Sequence, residues 1–202
     1  MSYTYIHPDD WSASYRMTAN RPPSAWFVAA AGVTDINHGQ GRTVVDLGCG
    51  NGVETKAFLD RGWRVHAFDG EQDAIDFTLD RTDETNRDRL AAQAVTFAEL
   101  ELPENDMVFA QLSLPFCEAE TFPSLWEDVR TSIRPGGYFV GQFLGPNDDW
   151  AGRCLTHSVS DIEALLDEWA ILDLSEELHD GVAGPKREPK FWHIISVIAR
   201  RP

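Results

Sequence analysis

Residues 43–52, TVVDLGCGNG, bring an acid, a thiol, an amide and three glycines together directly after an apolar run. Val44, Val45 and Leu47 suit a strand covered on both faces, which Asp46 interrupts near its end. Gly48, Gly50 and Gly52 carry no Cβ, so backbone there can approach a ligand closely while the following helix points its first N–H groups at it. Tight turns that bind nothing use the same glycines, so the turn alone names no chemistry. A second acid, Asp69, closes the stretch RVHAF at residues 64–68. A carboxylate at a neighbouring strand tip can accept hydrogen bonds from both hydroxyls of a ribose.

The spacing separates two kinds of ribose-bearing ligand. A nicotinamide site spaces its glycines G-x-G-x-x-G, whereas here the third glycine arrives one residue early and an acid stands two positions before the first. The D-x-G-x-G-x-G turn together with Asp69 resembles motifs I and II of the class I S-adenosylmethionine-dependent methyltransferases. The resemblance implies that Asp46, Gly48, Gly50 and Asp69 contact S-adenosylmethionine. Cys49 and Asn51 would line the turn mainly through backbone, with the Cys49 thiol structural.

Composition narrows the partners. At 202 residues the chain has the size of one α/β domain with a small extension. A formal charge of −16 opposes binding to a phosphate backbone, which requires clustered Lys and Arg, so we expect no nucleic-acid partner. The three cysteines have no paired spacing, which indicates neither a metal site nor a disulfide framework and suits a reducing cytoplasm. No apolar run is long enough to span a membrane, and the first residues lack the basic and apolar regions of a signal peptide. The expectation is a soluble, cytoplasmic monomer or homodimer acting on a small molecule.

Elements that would position these groups follow in order. Residues 1–40 are rich in aromatics (Tyr3, Tyr5, Trp11, Tyr15, Trp26, Phe27) and form an N-terminal extension ahead of a domain at 41–202. Ser24 is placed to cap a helix whose Trp26, Phe27, Val28 and Ala30 pack on the sheet and which Gly32 helps end. The extension reads either as a lid, with Arg21 reaching the methionine carboxylate, or as packing at the core's edge. Helices are expected at 53–61 and 72–80, with Gly62 capping the first.

A third strand is predicted at 94–98, followed by ELELP. In the resembled family an acid here meets the adenine amino group beside an apolar residue; Glu99 with Leu100 is the first choice, Glu101 with Leu102 the rival. A central strand at 107–112 would deliver Gln111, Ser113, Pro115 and Phe116 to the ligand-binding edge of the sheet. Its QLSLPF differs from the N-P-P-Y of amino-group methyltransferases. An amphipathic helix at 120–133, an R-P-G-G turn and a strand at 138–143 come next. After a loop at 145–152, Ser160 and Glu163 form an S-x-x-E capping box. Strands at 169–174 and 191–199, joined by a long loop, would form a terminal hairpin with its last strand antiparallel. The fold class expected is a Rossmann-like, doubly wound, seven-stranded and mostly parallel sheet.

Methyl transfer from a sulfonium releases a neutral thioether, so positioning does most of the work and a base matters only for a protonated acceptor. Tyr15, His157 and His193 are the candidates for that base, weighed against ordinary packing roles. The aromatic N-terminus, the LPF turn, the Trp150 loop and residues 190–193 would together enclose a small acceptor, a pattern that looks most like small-molecule methyltransferases of the tellurite-resistance type. Two rivals remain: a non-catalytic binder of S-adenosylmethionine or another nucleotide that regulates a partner, and a nicotinamide oxidoreductase.

Overall fold

A computed structural model describes residues 11–202, so Tyr3 and Tyr5 lie outside the described residues. Seven strands form one sheet in the order β3-β2-β1-β4-β5-β7-β6. These are β1 (Thr43–Leu47), β2 (Arg64–Asp69), β3 (Leu90–Ala94), β4 (Asn105–Ala110), β5 (Ile133–Leu144), β6 (Ala170–Ala183) and β7 (Glu188–Arg200). The first five pair in parallel, and β7 runs antiparallel to both β5 and β6. This is the expected doubly wound sheet with its antiparallel terminal strand.

Because the central strands are covered on both faces, consecutive residues feed opposite cores. Val45, Leu47, Val108 and Ala110 face a core with α5 (Phe122–Ser132) and α6 (Val159–Leu165). Val44, Met107 and Phe109 face the other, with α2 (Ala25–Val33) and α3 (Val53–Asp60). The helices α1 (Trp11–Thr18) and α4 (Gln72–Arg81) complete the set.

Several boundaries depart from the sequence expectation. The third strand is Leu90–Ala94, not 94–98, because its register against β2 is fixed by Val65 opposite Leu90 and Asp69 opposite Ala94. Strand β4 ends at Ala110, and Leu112 turns into the left-handed region at φ 52°, which a strand cannot contain. The R-P-G-G stretch is the start of β5, not a separate turn. Most of the supposed terminal loop is ladder, since β6 and β7 remain paired out to Ala183 opposite Glu188. The capping box of α6 is Ser158 with Asp161, not Ser160 with Glu163.

The N-terminal helices have two different roles. Ser24 caps α2 by accepting from the Phe27 N–H at 3.1 Å, and Phe27 and Ala30 are fully buried. Val28, expected on the sheet, is 61% exposed, and the helix runs past Gly32 to Val33. Helix α1 instead lies over the glycine turn.

Candidate active site

The carboxyl ends of β1, β2 and β4 open into a cavity of about 990 Å³. Its floor is the glycine turn. Gly48 has φ 82°, and a Cβ added there would stand 2.2 Å from that of Ser113, so the turn and the residues after β4 meet only because this position has no side chain. The Gly48 and Cys49 N–H groups donate to the Phe68 carbonyl at 2.8 and 2.9 Å, binding the turn to the end of β2. The Ser113 hydroxyl donates to the Leu47 carbonyl from the β4 side.

Asp46 and Asp69 occupy different environments. Asp46 is buried at the end of β1 and accepts from the Thr55 hydroxyl at 2.5 Å. Burial, reinforced by Glu54 and Asp69, pushes its carboxyl up to about 7 against that hydrogen bond. Asp69 Oδ2 accepts from the Gly50 N–H at 2.9 Å, while Oδ1 accepts from the Glu71 N–H at 3.0 Å and the Tyr15 hydroxyl at 3.4 Å. Burial raises it too, opposed by these donors. A carboxylate offers about four acceptor sites, so capacity for a ribose hydroxyl remains, and the long Tyr15 contact is the easiest to exchange.

Gly48, Cys49, Gly50, Asn51, Leu100 and Gln111 also line this cavity. Asn51 acts through its side chain rather than only its backbone: Nδ2 donates to the Tyr15 carbonyl and the Thr18 hydroxyl, both at 2.9 Å, and so holds α1 over the turn. Arg81 donates from Nε to the Asn51 carbonyl at 2.8 Å and from its other arm to the Ala19 carbonyl at 2.5 Å. Gln111 Oε1 accepts from the Ser24 hydroxyl at 2.8 Å. Arg21 reaches the cavity, but its guanidinium forms two 2.6 Å bonds to Glu54.

Other expected residues stand elsewhere. Glu99 is exposed and accepts from the Thr96 hydroxyl at 3.0 Å; it does not line the cavity. The rival Glu101 faces a separate hollow with His66 and Leu102. With β3 ending at Ala94, the residues brought to the cavity are Val95, Thr96, Phe97 and Ala98, which the misplaced strand concealed.

Of the three base candidates only Tyr15 lines the cavity, and burial together with Asp69 drives its pKa upward, so it stays a phenol. His157 packs between Phe122 and Phe143, with ring centroids at 4.7 and 5.1 Å, and burial lowers its pKa. His193 is buried; its Nδ1 accepts from the Asn147 N–H at 3.1 Å, which leaves Nε2 to donate to Glu176 at 2.7 Å. Neither histidine lines the cavity. Among the described residues no His, Cys, Asp and Glu group is arranged to hold a metal.

The description that matches the chain is "Tellurite resistance protein TehB", over residues 8–182. The chain belongs to the TehB family. Its fold is that of the class I S-adenosylmethionine-dependent methyltransferases. TehB from Haemophilus influenzae superposes with a TM-score of 0.73 at 18% identity, covering 96% of this chain and 67% of that one. The N-methyltransferase NodS from Bradyrhizobium japonicum WM9, solved with S-adenosylhomocysteine, gives 0.70 at 14% identity and full coverage of both chains. The 1,6-didemethyltoxoflavin-N1-methyltransferase from Burkholderia thailandensis gives 0.68 at 20% identity, covering 96% and 86%. At these identities the structural likenesses establish the fold. No curated protein matches the chain.

Proposed function

We propose that this TehB-family protein transfers a methyl group from S-adenosylmethionine to a small-molecule acceptor by in-line displacement. The observation that carries this reading is the continuity of one cavity, from Asp69 and the glycine turn, past Gln111 and Pro115, to Phe116, Trp150 and Trp192. S-adenosylmethionine supplies a methyl on a sulfonium whose leaving thioether is neutral. Asp69 would hold the ribose, the 48–50 backbone would lie along the methionine part, and Leu100 with residues 95–98 would border the base. Arg21 reaches the methionine carboxylate only by sharing its guanidinium with Glu54.

Tyr15 remains protonated and both histidines lie elsewhere, so the chain's contribution is orientation and exclusion of water. Orientation supplies about 7 to 11 kcal/mol of barrier lowering in well-aligned reactions. An acceptor that is already nucleophilic suits such a site. The strong negative charge supports a small molecule over nucleic acid. Three buried, unpaired thiols support a reducing cytoplasm, and among the described residues no helix is long and apolar enough to cross a membrane.

The test is incubation with methyl-labelled S-adenosylmethionine and a fractionated metabolite extract. Label recovered in a small-molecule product supports the reading. Cofactor binding without turnover across all fractions favours the non-catalytic binder.

A further inference from the structure

Two sets of aromatic residues differ in burial. Phe27, Phe58, Trp63, Phe109, Phe139 and Phe143 are at most 1% exposed and finish the cores. Trp11, Phe116, Trp150 and Trp192 are only half-buried, and the surface they leave open lines the cavity. They form an unbroken series: ring centroids are 5.2 Å apart for Trp11 and Phe116, 6.1 Å for Phe116 and Trp150, and 5.6 Å for Trp150 and Trp192. Each pair is tilted or edge-on, so the four rings do not seal one another's faces, although one face of Trp11 stacks on Tyr15 at 6.0 Å. A contiguous apolar surface held open inside a cleft marks a ligand site.

This wall is built to be rigid. Lys190 is buried beneath it, its ammonium 3.7 Å from the Trp192 ring centroid and 4.5 Å from that of Trp150. The ammonium donates to Asp148, and the two side chains are 2% and 0% exposed. Asp148 also accepts from the Trp150 N–H at 2.9 Å and the His193 N–H at 3.0 Å. Asp149 and Phe191 exchange two further bonds, at 3.1 and 2.6 Å, lashing the 145–152 loop to β7. Trp150 and Trp192, from distant parts of the chain, are thereby fixed side by side.

Charge does not select an anion here. Lys190 is matched by Asp148, and the charged residues of the adjoining rim, Arg153 and Lys186 against Glu118 and Glu188, balance two to two. Flat apolar surface is what the wall offers. We infer that the Trp11–Phe116–Trp150–Trp192 wall is an acceptor subsite for a planar aromatic or heteroaromatic molecule carrying the nucleophile, uncharged at the ring that meets the wall. This rests on the methyltransferase reading above, because it assigns the acceptor half of the same cavity. In the transfer, the acceptor's lone pair forms the new bond to the methyl carbon as the carbon–sulfur bond breaks, its electrons going to sulfur. Any proton on the acceptor atom leaves to water.

The experiment titrates the full chain, saturated with S-adenosylhomocysteine, with quinolin-4-ol, the uncharged saturated bicycle decahydronaphthalen-1-ol of similar size, and selenite. Calorimetry gives the affinities, and binding of S-adenosylhomocysteine alone is measured first. We expect quinolin-4-ol to bind at least tenfold more tightly than the saturated compound and selenite. Trp150→Leu and Trp192→Leu should each remove most of that preference, with S-adenosylhomocysteine affinity unchanged within about twofold. Trp150→Phe, which keeps a ring, should retain most of it, and melting curves identify any variant that has lost its fold. Equal binding of the flat and saturated compounds, tighter binding of selenite, or leucine variants that keep the preference would overturn the subsite. Failure of S-adenosylhomocysteine to bind at all would instead overturn the reading on which it rests.

Discussion

The Tyr15 hydroxyl stands 3.4 Å from Oδ1 of Asp69, so helix α1 covers the acid at the tip of β2. A segment outside the sheet and a residue at its binding edge thus share one carboxylate. A ribose that engages Asp69 through both hydroxyls needs one more acceptor position than the carboxylate has free, so it displaces Tyr15 and couples the position of α1 to the occupancy of the cavity.

Asp69→Ala should weaken S-adenosylhomocysteine binding by about 1.5 to 3 kcal/mol, the range for hydrogen bonds to a charged acceptor. Calorimetry checks this. An unchanged Kd would place the ribose elsewhere. Glu99→Ala and Glu101→Ala should each leave the Kd unchanged, since neither side chain lines the cavity.

Asn51→Ala removes two donors to α1 and should loosen the helix at a cost of about 1 to 3 kcal/mol. Limited trypsin digestion reads the effect as faster cleavage after Arg16, the Arg21–Pro22 bond being resistant to trypsin. If α1 acts as a lid, S-adenosylhomocysteine should slow that cleavage in the wild type. Equal rates with and without ligand would make α1 permanent packing.

Arg21→Ala leaves Glu54, whose side chain is 7% exposed, without its cation. Arg21 is itself about one-third exposed, so solvent moderates the loss to about 1 to 2 kcal/mol of stability. A drop in S-adenosylmethionine affinity exceeding that for its decarboxylated analogue would assign Arg21 to the methionine carboxylate; equal drops would leave it a partner of Glu54 alone.

Asp46 has a pKa raised to about 7 in the fold against an ordinary value of 3.8. The folded chain therefore binds the proton more tightly than the unfolded one. Its contribution to stability is fully present below about pH 4 and is lost as pH rises through about 7. Denaturant unfolding across pH 4 to 8 should show this slope in the wild type, and Asp46→Asn should flatten it. Identical slopes in the two proteins would show that Asp46 ionises without penalty.

The sequence exposes the cofactor half of the cavity most clearly because the chemistry there is local. The acid before Gly48 and the acid ending β2 stand on two sequence-adjacent strands, and glycine spacing is read directly. Strand β3 was misplaced because AAQAVTFA alternates equally well in two registers. Its position is set by backbone pairing with β2, and as an edge strand it has no fully buried residue to reveal the register. The capping box slipped because serine-to-acid spacings overlap two residues apart, and only Ser158 has the extended backbone of a cap, at φ −79° and ψ 166°. The polar tip of β6 and β7 resembled a loop because it forms the exposed edge of the sheet. The Lys190–Asp148 pin joins residues 42 apart, a relationship that composition and spacing do not carry.

Thermal unfolding with S-adenosylhomocysteine and with NAD, each near 100 times its Kd or at its solubility limit, tests the central claim most directly. Binding at a hundredfold excess over Kd stabilises the fold by about 2.7 kcal/mol. For a chain of this size each kcal/mol moves the melting point by about 2 to 4 °C. The account expects S-adenosylhomocysteine to raise the melting point by about 5 to 11 °C, with Asp69→Ala needing at least tenfold more ligand for the same shift. A larger shift with NAD, or no shift with S-adenosylhomocysteine, would contradict it.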